Sequence, residues 1–301
     1  MKKFIDLFKE KNNKIFTKVF LSYIIILLLP VVINIIMVTI LTGTVRSEIS
    51  DSSFLLTENL RVAADQILEN VLKISRQINM NGSMTAMYEY DSCENIYNLK
   101  ESIDFLNSIT FNTDDISNIF VYNPHADIAI SDDGRGNAES FFEKYYSGTE
   151  YSCEKLTQEI SAVTDGGFRE VMSAEGDKVK YVEYRMPLMG TEIENVETLK
   201  GFPAFLIVRI NQNLLDMSDA AKESYPAMQV FTLTGNERII GTQPDFDIET
   251  GRLKSKTEDG GFKILKEKGI IYLCEKSSLT DWTYVTATSM LRYYREYFFA
   301  I

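Results

Sequence analysis

Tyr181, Glu183 and Arg185 alternate along the run Val179 to Leu188. The two-residue period of an extended chain sets their phenol, carboxylate and guanidinium on one face. A trio of that kind can fix the orientation of a small polar ligand, because pockets use a few polar groups among apolar walls. The connection ahead of this run, Asp132 to Lys178, adds Asp132, Asp133, Arg135, Glu139, the cluster Phe141-Phe142-Glu143-Lys144-Tyr145-Tyr146, and Asp165 before two glycines. Aromatics there can wall a pocket, and Tyr122 lies on a neighbouring apolar run. The ligand-binding candidates are therefore Tyr122, Asp132, Arg135, Phe141, Tyr145, Asp165, Tyr181, Glu183 and Arg185. Each has an ordinary alternative, the acids and Arg135 as turn residues and the tyrosines as half-buried sheet positions with satisfied hydroxyls.

Catalytic chemistry finds little support. His125 is the single histidine and falls in a predicted turn, so no H-E-x-x-H zinc site is possible. No Ser-His-Asp or Cys-His arrangement exists apart from it, and no G-x-S-x-G occurs. Gly134-Arg135-Gly136 and Gly166-Gly167 are read as turns, since neither opens a helix with Gly-Lys-Ser/Thr. Paired carboxylates of the glycosidase kind stay open, because sequence spacing says nothing about spatial separation. The three cysteines, Cys93, Cys153 and Cys274, are too few for a disulfide framework or a Cys-x-x-Cys metal site. A Cys93–Cys153 bridge is conceivable outside the cytoplasm but is not predicted, and Cys274 reads as a core strand residue. No enzyme activity, no metal and no cofactor are expected.

The elements that would position the candidates begin with a membrane anchor. Val19 to Leu41 is a run of 23 uncharged residues, and a helix of that length spans roughly 34 Å, enough for a hydrocarbon core of about 30 Å. A cleaved signal peptide would have a shorter apolar stretch and small residues at its end, which Thr42, Gly43 and Thr44 fit poorly. Six lysines, Lys2, Lys3, Lys9, Lys11, Lys14 and Lys18, precede the span, and Arg46 alone follows closely. The positive-inside rule puts the N-terminus in the cytoplasm. Removing those lysines with Asp6 and Glu10 from the 31 basic and 43 acidic residues leaves 25 and 41, a formal charge of −16 beyond the span. So acidic a body argues against nucleic-acid binding by this segment. At the far end Tyr293, Tyr294, Tyr297, Phe298, Phe299, Ala300 and Ile301 form an aromatic stretch beside Arg292 and Arg295. It reads as the outer edge of a returning span with an output segment to follow, or as a buried C-terminal helix.

Between these ends, Ser47 to about Met80 lacks proline and glycine. Ile49, Leu56, Leu60, Ala63, Ile67, Val71, Ile74 and Ile78 recur there at helical steps, with Leu55, Leu68 and Leu72 widening the stripe. A second helix is predicted from about Cys93 to Ile109. Beyond Asp115 the period becomes that of strands, and an order repeats. Ile119 to Ser131 and Val230 to Thr242 each read as a hairpin, followed by strand pairs Val179 to Leu188 with Gly201 to Asn211, and Gly269 to Ser277 with Trp282 to Thr288.

Taken with the Leu27 to Ile33 run in the span and the closing Asp281-Trp282-Thr283-Tyr284-Val285 strand, this order resembles the extracytoplasmic double Cache sensor domain. The likeness is to that of membrane-anchored AraC-type regulators and sensor histidine kinases of Gram-positive bacteria, and it covers nearly the whole chain. It implies an α+β fold: a long N-terminal helix followed by two PAS-like antiparallel-sheet modules, with an N-terminal transmembrane helix and the start of a second. The expected organisation is a basic tail at 1–18, transmembrane helix at 19–41, stalk or dimer helix at 46–80, membrane-distal module at 81–211, membrane-proximal module at 212–289 and the second span from 293. By the same likeness the distal module holds a small-molecule ligand and the long helix pairs two subunits. Amino-acid-sensing members carry an Arg-x-Trp-Tyr pattern, where this chain has Glu139-Ser140-Phe141-Phe142. Without that arginine a carboxylate loses its natural partner, which points to a sugar, amine or peptide in preference to an α-amino acid. A membrane-anchored protein-binding or structural ectodomain is the other reading.

Overall fold

The computed structural model describes residues 2–84, 96–124, 126–176, 178–188, 204–211, 227–241, 243–245, 248–257 and 263–298. Cys93, His125 and the last residues of the expected second span lie outside these. Residues up to Ser52 and those from Ser53 onward form two compact units.

In the first unit the chain is one continuous helix, part of α1 (Lys2–Asn79). Val19 to Leu41 are exposed throughout, and among the described residues α1 alone is long and apolar enough to cross a membrane. Pro30 sits inside it. Proline removes one backbone hydrogen bond, a loss that membrane helices absorb by local adjustment. Thr39, Thr42 and Thr44 turn their hydroxyls back to the carbonyls of Ile35, Val38 and Ile40, at 2.8, 2.7 and 3.1 Å. Their polar groups are thereby satisfied without water.

The second unit contains the remainder of α1, α2 (Ile96–Phe111) and two antiparallel sheets. The first sheet is built from β1 (Ile116–Asn123), β2 (Ile128–Ser131), β3 (Gly134–Gly136), β4 (Gly167–Met172), β5 (Val179–Leu188) and β6 (Ala204–Ile210), with α3 (Ala138–Tyr145) and α4 (Cys153–Ser161) between β3 and β4. The second comprises β7 (Met228–Leu233), β8 (Ile239–Ile240), α5 (Thr250–Thr257), β9 (Lys263–Glu267), β10 (Ile270–Lys276) and β11 (Thr283–Ser289), and β11 runs directly into α6 (Met290–Phe298). Strand orders are β3-β2-β1-β6-β5-β4 and β8-β7-β11-β10-β9. With the edge strand β3 set aside, the two sheets share one topology, and in both the last strand pairs with the first. The repeat read from the sequence is thus a duplication of strand order.

Alternation decides what each face does. In the first sheet Ile119, Val121, Val182, Leu206, Val208 and Ile210 pack with Leu60, Ala64, Leu68 and Val71 of α1 and Leu106 of α2. Phe120, Tyr122, Ala129, Phe205 and Ile207 face the other way, beneath α3 and α4. The second sheet adds Val230, Ile240, Trp282 and Tyr284 to the core around α1 and also meets α1 through polar groups. Ser53 and Thr288 hydroxyls lie 3.2 Å apart, Thr57 donates to Thr286 at 2.7 Å, and Tyr284 donates to Asp65 at 2.8 Å. Four residues of helix rise about 6 Å and two residues of strand about 6.7 Å, so the Ser53 and Thr57 pairs stay in step, whereas Tyr284 reaches a full helical turn further to Asp65.

Two sequence expectations change. Gly134-Arg135-Gly136 is the edge strand β3, pairing Ile130 with Arg135, and Gly167 opens β4. An edge strand needs only main-chain hydrogen bonds, so it shows no apolar period to read. Leu55, taken into the buried stripe of α1, is 59% exposed, whereas Leu68 is fully buried. Leu68→Ala should therefore lower unfolding stability by about 2–5 kcal/mol. Leu55→Ala should change it by less than about 0.5 kcal/mol. Denaturant unfolding followed by the single tryptophan, Trp282, is the measurement.

Candidate functional site

Antiparallel pairing sets Glu183 of β5 directly opposite Arg209 of β6, with Arg185 two residues further along β5. Their side chains share the face beneath α3 and α4. Arg185 donates from Nε and Nη2 to Glu183 Oε2 at 3.2 and 3.0 Å. Arg209 does the same to Oε1 at 3.1 and 2.8 Å. The Tyr146 hydroxyl adds a fifth bond, to Oε2 at 2.9 Å. Glu183, Arg185 and Arg209 are all buried. A charge so enclosed is tolerable only with this degree of pairing.

Aromatic rings cover the exposed sides of the cations. The Arg209 guanidinium lies 3.9 Å from the Tyr181 ring centre, 5.0 Å from Tyr146 and 5.3 Å from Phe120. Arg185 lies over Tyr151 at 5.3 Å, and Tyr151 donates to Glu159 at 2.7 Å. Burial alone would raise the Glu183 carboxyl, but the two guanidiniums and the Tyr146 hydroxyl outweigh it and hold it below the ordinary glutamate range. Burial, followed by the charge of Glu183, raises Tyr146, and burial pushes Tyr151 up to about 12. Both phenols stay neutral donors near pH 7.

An aromatic wall links this clamp to an open cavity. Phe120 contacts Phe141 and Tyr145 at ring-centre distances of 5.0 and 4.5 Å, and Phe141 contacts Tyr146 at 5.7 Å. On the far side of Phe141 and Tyr145 is a cavity of about 150 Å³, lined also by Ala129, Ser131, Asp133, Arg135, Ser140 and Lys144. Helix α3 reaches it because Asn137 caps its N-terminus, accepting from the Ser140 amide at 3.0 Å. Asp133 accepts from Ser131 at 2.7 Å, from Lys144 at 2.8 Å and from the Tyr145 hydroxyl. Burial opposes ionisation of this carboxyl, yet those three donors hold it at about 2. The cavity thus presents the Asp133–Lys144 ion pair, the Arg135 guanidinium, hydroxyls and aromatic faces. A wider cleft of about 360 Å³ lies between the start of β4 and the segment Leu279 to Trp282, away from these groups.

Of the candidates read from the sequence, Tyr181, Glu183 and Arg185 form the clamp, and Phe141 and Tyr145 form the wall. Tyr122 is buried on the same face, beside Thr157 and Cys153. Arg135 lines the cavity rim. Asp132 shares the parity of Ile130 and turns toward Thr110 and Asn118 on the α2 side. Asp165 is exposed in the bend before β4, next to Thr164. Neither acid lines the cavity. Asp133, Arg209, Tyr146, Tyr151 and Lys144 were not among the candidates. Arg209 carried a readable signal, being the one charge in the buried strand Ala204–Ile210.

No protein-family model matches the sequence, and no curated protein matches it. Solved structures do match in fold. The extracellular domain described as that of a histidine kinase, mmHK1S-Z2, superposes with a TM-score of 0.51 at 14% identity, covering 81% of this chain and 98% of that one. A second such domain, from vpHK1S-Z8, gives 0.54 at 11% identity, covering 85% and 96%. The ligand-binding domain of the Campylobacter jejuni chemoreceptor Tlp3, in complex with L-norvaline, gives 0.51 at 10% identity, covering 83% and 94%. What this chain shares with these domains is the fold, α+β with a long N-terminal helix followed by antiparallel sheets.

Removing the clamp carboxylate tests how much rests on it. Glu183→Ala leaves two guanidiniums buried without their partner and should cost about 3–5 kcal/mol in denaturant unfolding. Because the folded-state pKa of Glu183 lies below its unfolded value, its contribution is present above about pH 4.3 and lost as pH falls through the folded value. Wild type should accordingly lose stability steeply below about pH 4.3, and Glu183→Gln should show a shallower acid slope.

Proposed function

We propose that this chain is the extracytoplasmic ligand-sensing input part of a transmembrane signalling protein. The observation that carries the proposal is a cavity walled by Phe141 and Tyr145, with Asp133 fixed inside it, on the covered face of a sheet in a sensor-domain fold. Helix α1 anchors the chain through residues 19–41 with the N-terminus in the cytoplasm, and α6 begins the return through the membrane. Residues 81–211 form the membrane-distal, ligand-holding module and residues 212–289 the membrane-proximal one. The output following the second span is an AraC-type helix-turn-helix regulator or a histidine kinase. Phe54, Leu55 and Val62 leave α1 an exposed apolar strip, which supports a homodimer through this helix.

The chemistry of the site favours a sugar, an amine or a short peptide over an α-amino acid. Both buried guanidiniums are already bidentate on Glu183, so a ligand carboxylate has to compete with an internal one. The donors left facing the cavity surround an anion, Asp133, that suits ammonium or hydroxyl groups. Ligand binding does no chemistry. It favours one of two arrangements of the second module and β11, and to do so it must bind them unequally.

A thermal-shift screen of the full chain in detergent against amines, sugars, short peptides and amino acids is the test. A ligand present at 100 times its dissociation constant adds about 2.7 kcal/mol and should raise the midpoint by roughly 5–10 °C. The shift should vanish in Asp133→Asn and Tyr145→Ala. An amino acid as the best ligand would overturn the ligand class, and silence across the library in a folded protein would favour a protein-binding ectodomain.

A further inference from the structure

A second cluster of charged groups lies far from the cavity, where α1 meets the second sheet. Arg61 of α1 is surrounded by three carboxylates: Glu58 at 2.9 Å, Glu275 of β10 at 2.8 Å and Asp65 at 3.7 Å. Asp65 is fully employed, accepting from Ser277 at 2.5 Å, Tyr284 at 2.8 Å, and the Ser278 amide and hydroxyl at 3.0 and 2.8 Å. Glu275 is different. One oxygen meets Arg61, and the other, Oε2, is buried without any hydrogen-bond partner. Glu58 and Glu275 meet the same guanidinium, so their carboxyls are held side by side at Arg61. Two ionised carboxylates hold no hydrogen between them, so they can only repel, whereas one added proton turns the contact into a charge-assisted hydrogen bond.

Among the described residues of the neighbouring strands, the one further cation on the face of Glu275 is Lys266 of β9, which pairs with Ile271, four residues along β10, and is exposed. On β11 the residue opposite Glu275 is Tyr284, a neutral phenol already donating to Asp65. On β9 the described residues end at Lys263, which pairs with Cys274 and so faces the other side of the sheet. Lys276 of β10 likewise alternates to that other side. Arg61 is thus one positive charge among three acids.

We propose that Glu275, held beside Glu58 at Arg61, is a proton-binding site whose occupancy tightens the packing of α1 against β10 and β11, making the second module responsive to pH. Burial, opposed by Arg61 and reinforced by the charge of Glu58, pushes Glu275 up to about 7. A carboxyl whose folded-state pKa exceeds its unfolded value binds more protons when folded, so stability grows as pH falls through that value. This is the reverse of Glu183. The seam it acts on borders β11, which continues into α6. The inference needs nothing from the ligand cavity, and the two fail separately.

Trp282, the single tryptophan, is buried beside this seam and reports on it directly. Thermal unfolding of the full chain in detergent, followed by its fluorescence, should give a midpoint about 3–5 °C higher at pH 6 than at pH 8. Glu275→Gln carries its own amide donor and should lose that difference, with a pH 8 midpoint near the wild-type pH 6 value. Should Glu275→Gln fail to fold, Glu58→Gln gives the same readout. A wild-type midpoint that is equal or lower at pH 6, or a glutamine variant that keeps the full difference, would overturn the proposal.

Discussion

One helix has to cover two sheets. The segment of α1 from Ser53 to Asn79 supplies the partner surface for the inward face of each sheet, and neither inward face can bury itself alone. Toward the first sheet it is apolar, with Leu60, Ala64, Ile67, Leu68 and Val71 in a core shared with strands β1, β5 and β6. Toward the second it is largely polar, with Ser53, Thr57, Arg61 and Asp65 bonded to β10, β11 and the turn after β10. The first contact is held by area removed from water. The second joins apolar burial of Val230, Ile240 and Trp282 in the same core to hydrogen bonds with a net worth of about 1 kcal/mol each, which set its register.

Because α1 and α2 take one face of the first sheet, its other face is left for α3 and α4. That is the origin of the site. Any strand residue of the right parity points beneath those helices, and Glu183, Arg185 and Arg209 do so as one saturated cluster. The cluster fixes the floor, while the short, capped helix α3 brings Tyr145 and Lys144 to Asp133 at the rim.

Much of this was legible from periodicity. The alternation of Tyr181, Glu183 and Arg185 predicts a shared face whatever the partner strand, and the two hairpins and the closing strands were visible as repeated apolar runs. What stayed hidden depends on pairing across the chain. Opposing Arg209 to Glu183 needs the β5–β6 register, which no local pattern encodes. Asp132 and Asp133 differ by one residue and take opposite sides of the sheet, so a reading by composition alone could not choose between them. The edge strands β3 and β9 bury little, and burial is what writes a period into a sequence. Glu275 and Glu58, more than two hundred residues apart, had no reason to be linked before β10 was placed against α1.

The route from the ligand face to the last strand follows from the same parity. Tyr184 succeeds Glu183 on β5 and therefore emerges on the opposite face of the sheet. There its ring meets Phe168 at 5.0 Å, and Phe168 meets Trp282 at 5.9 Å, immediately before β11. Contiguity of this kind transmits nothing unless some element along it has two arrangements whose balance both ends bias. The polar seam between α1 and β11 borders that route, and a bound ligand or proton acts through it only by the difference in its affinity for two such arrangements.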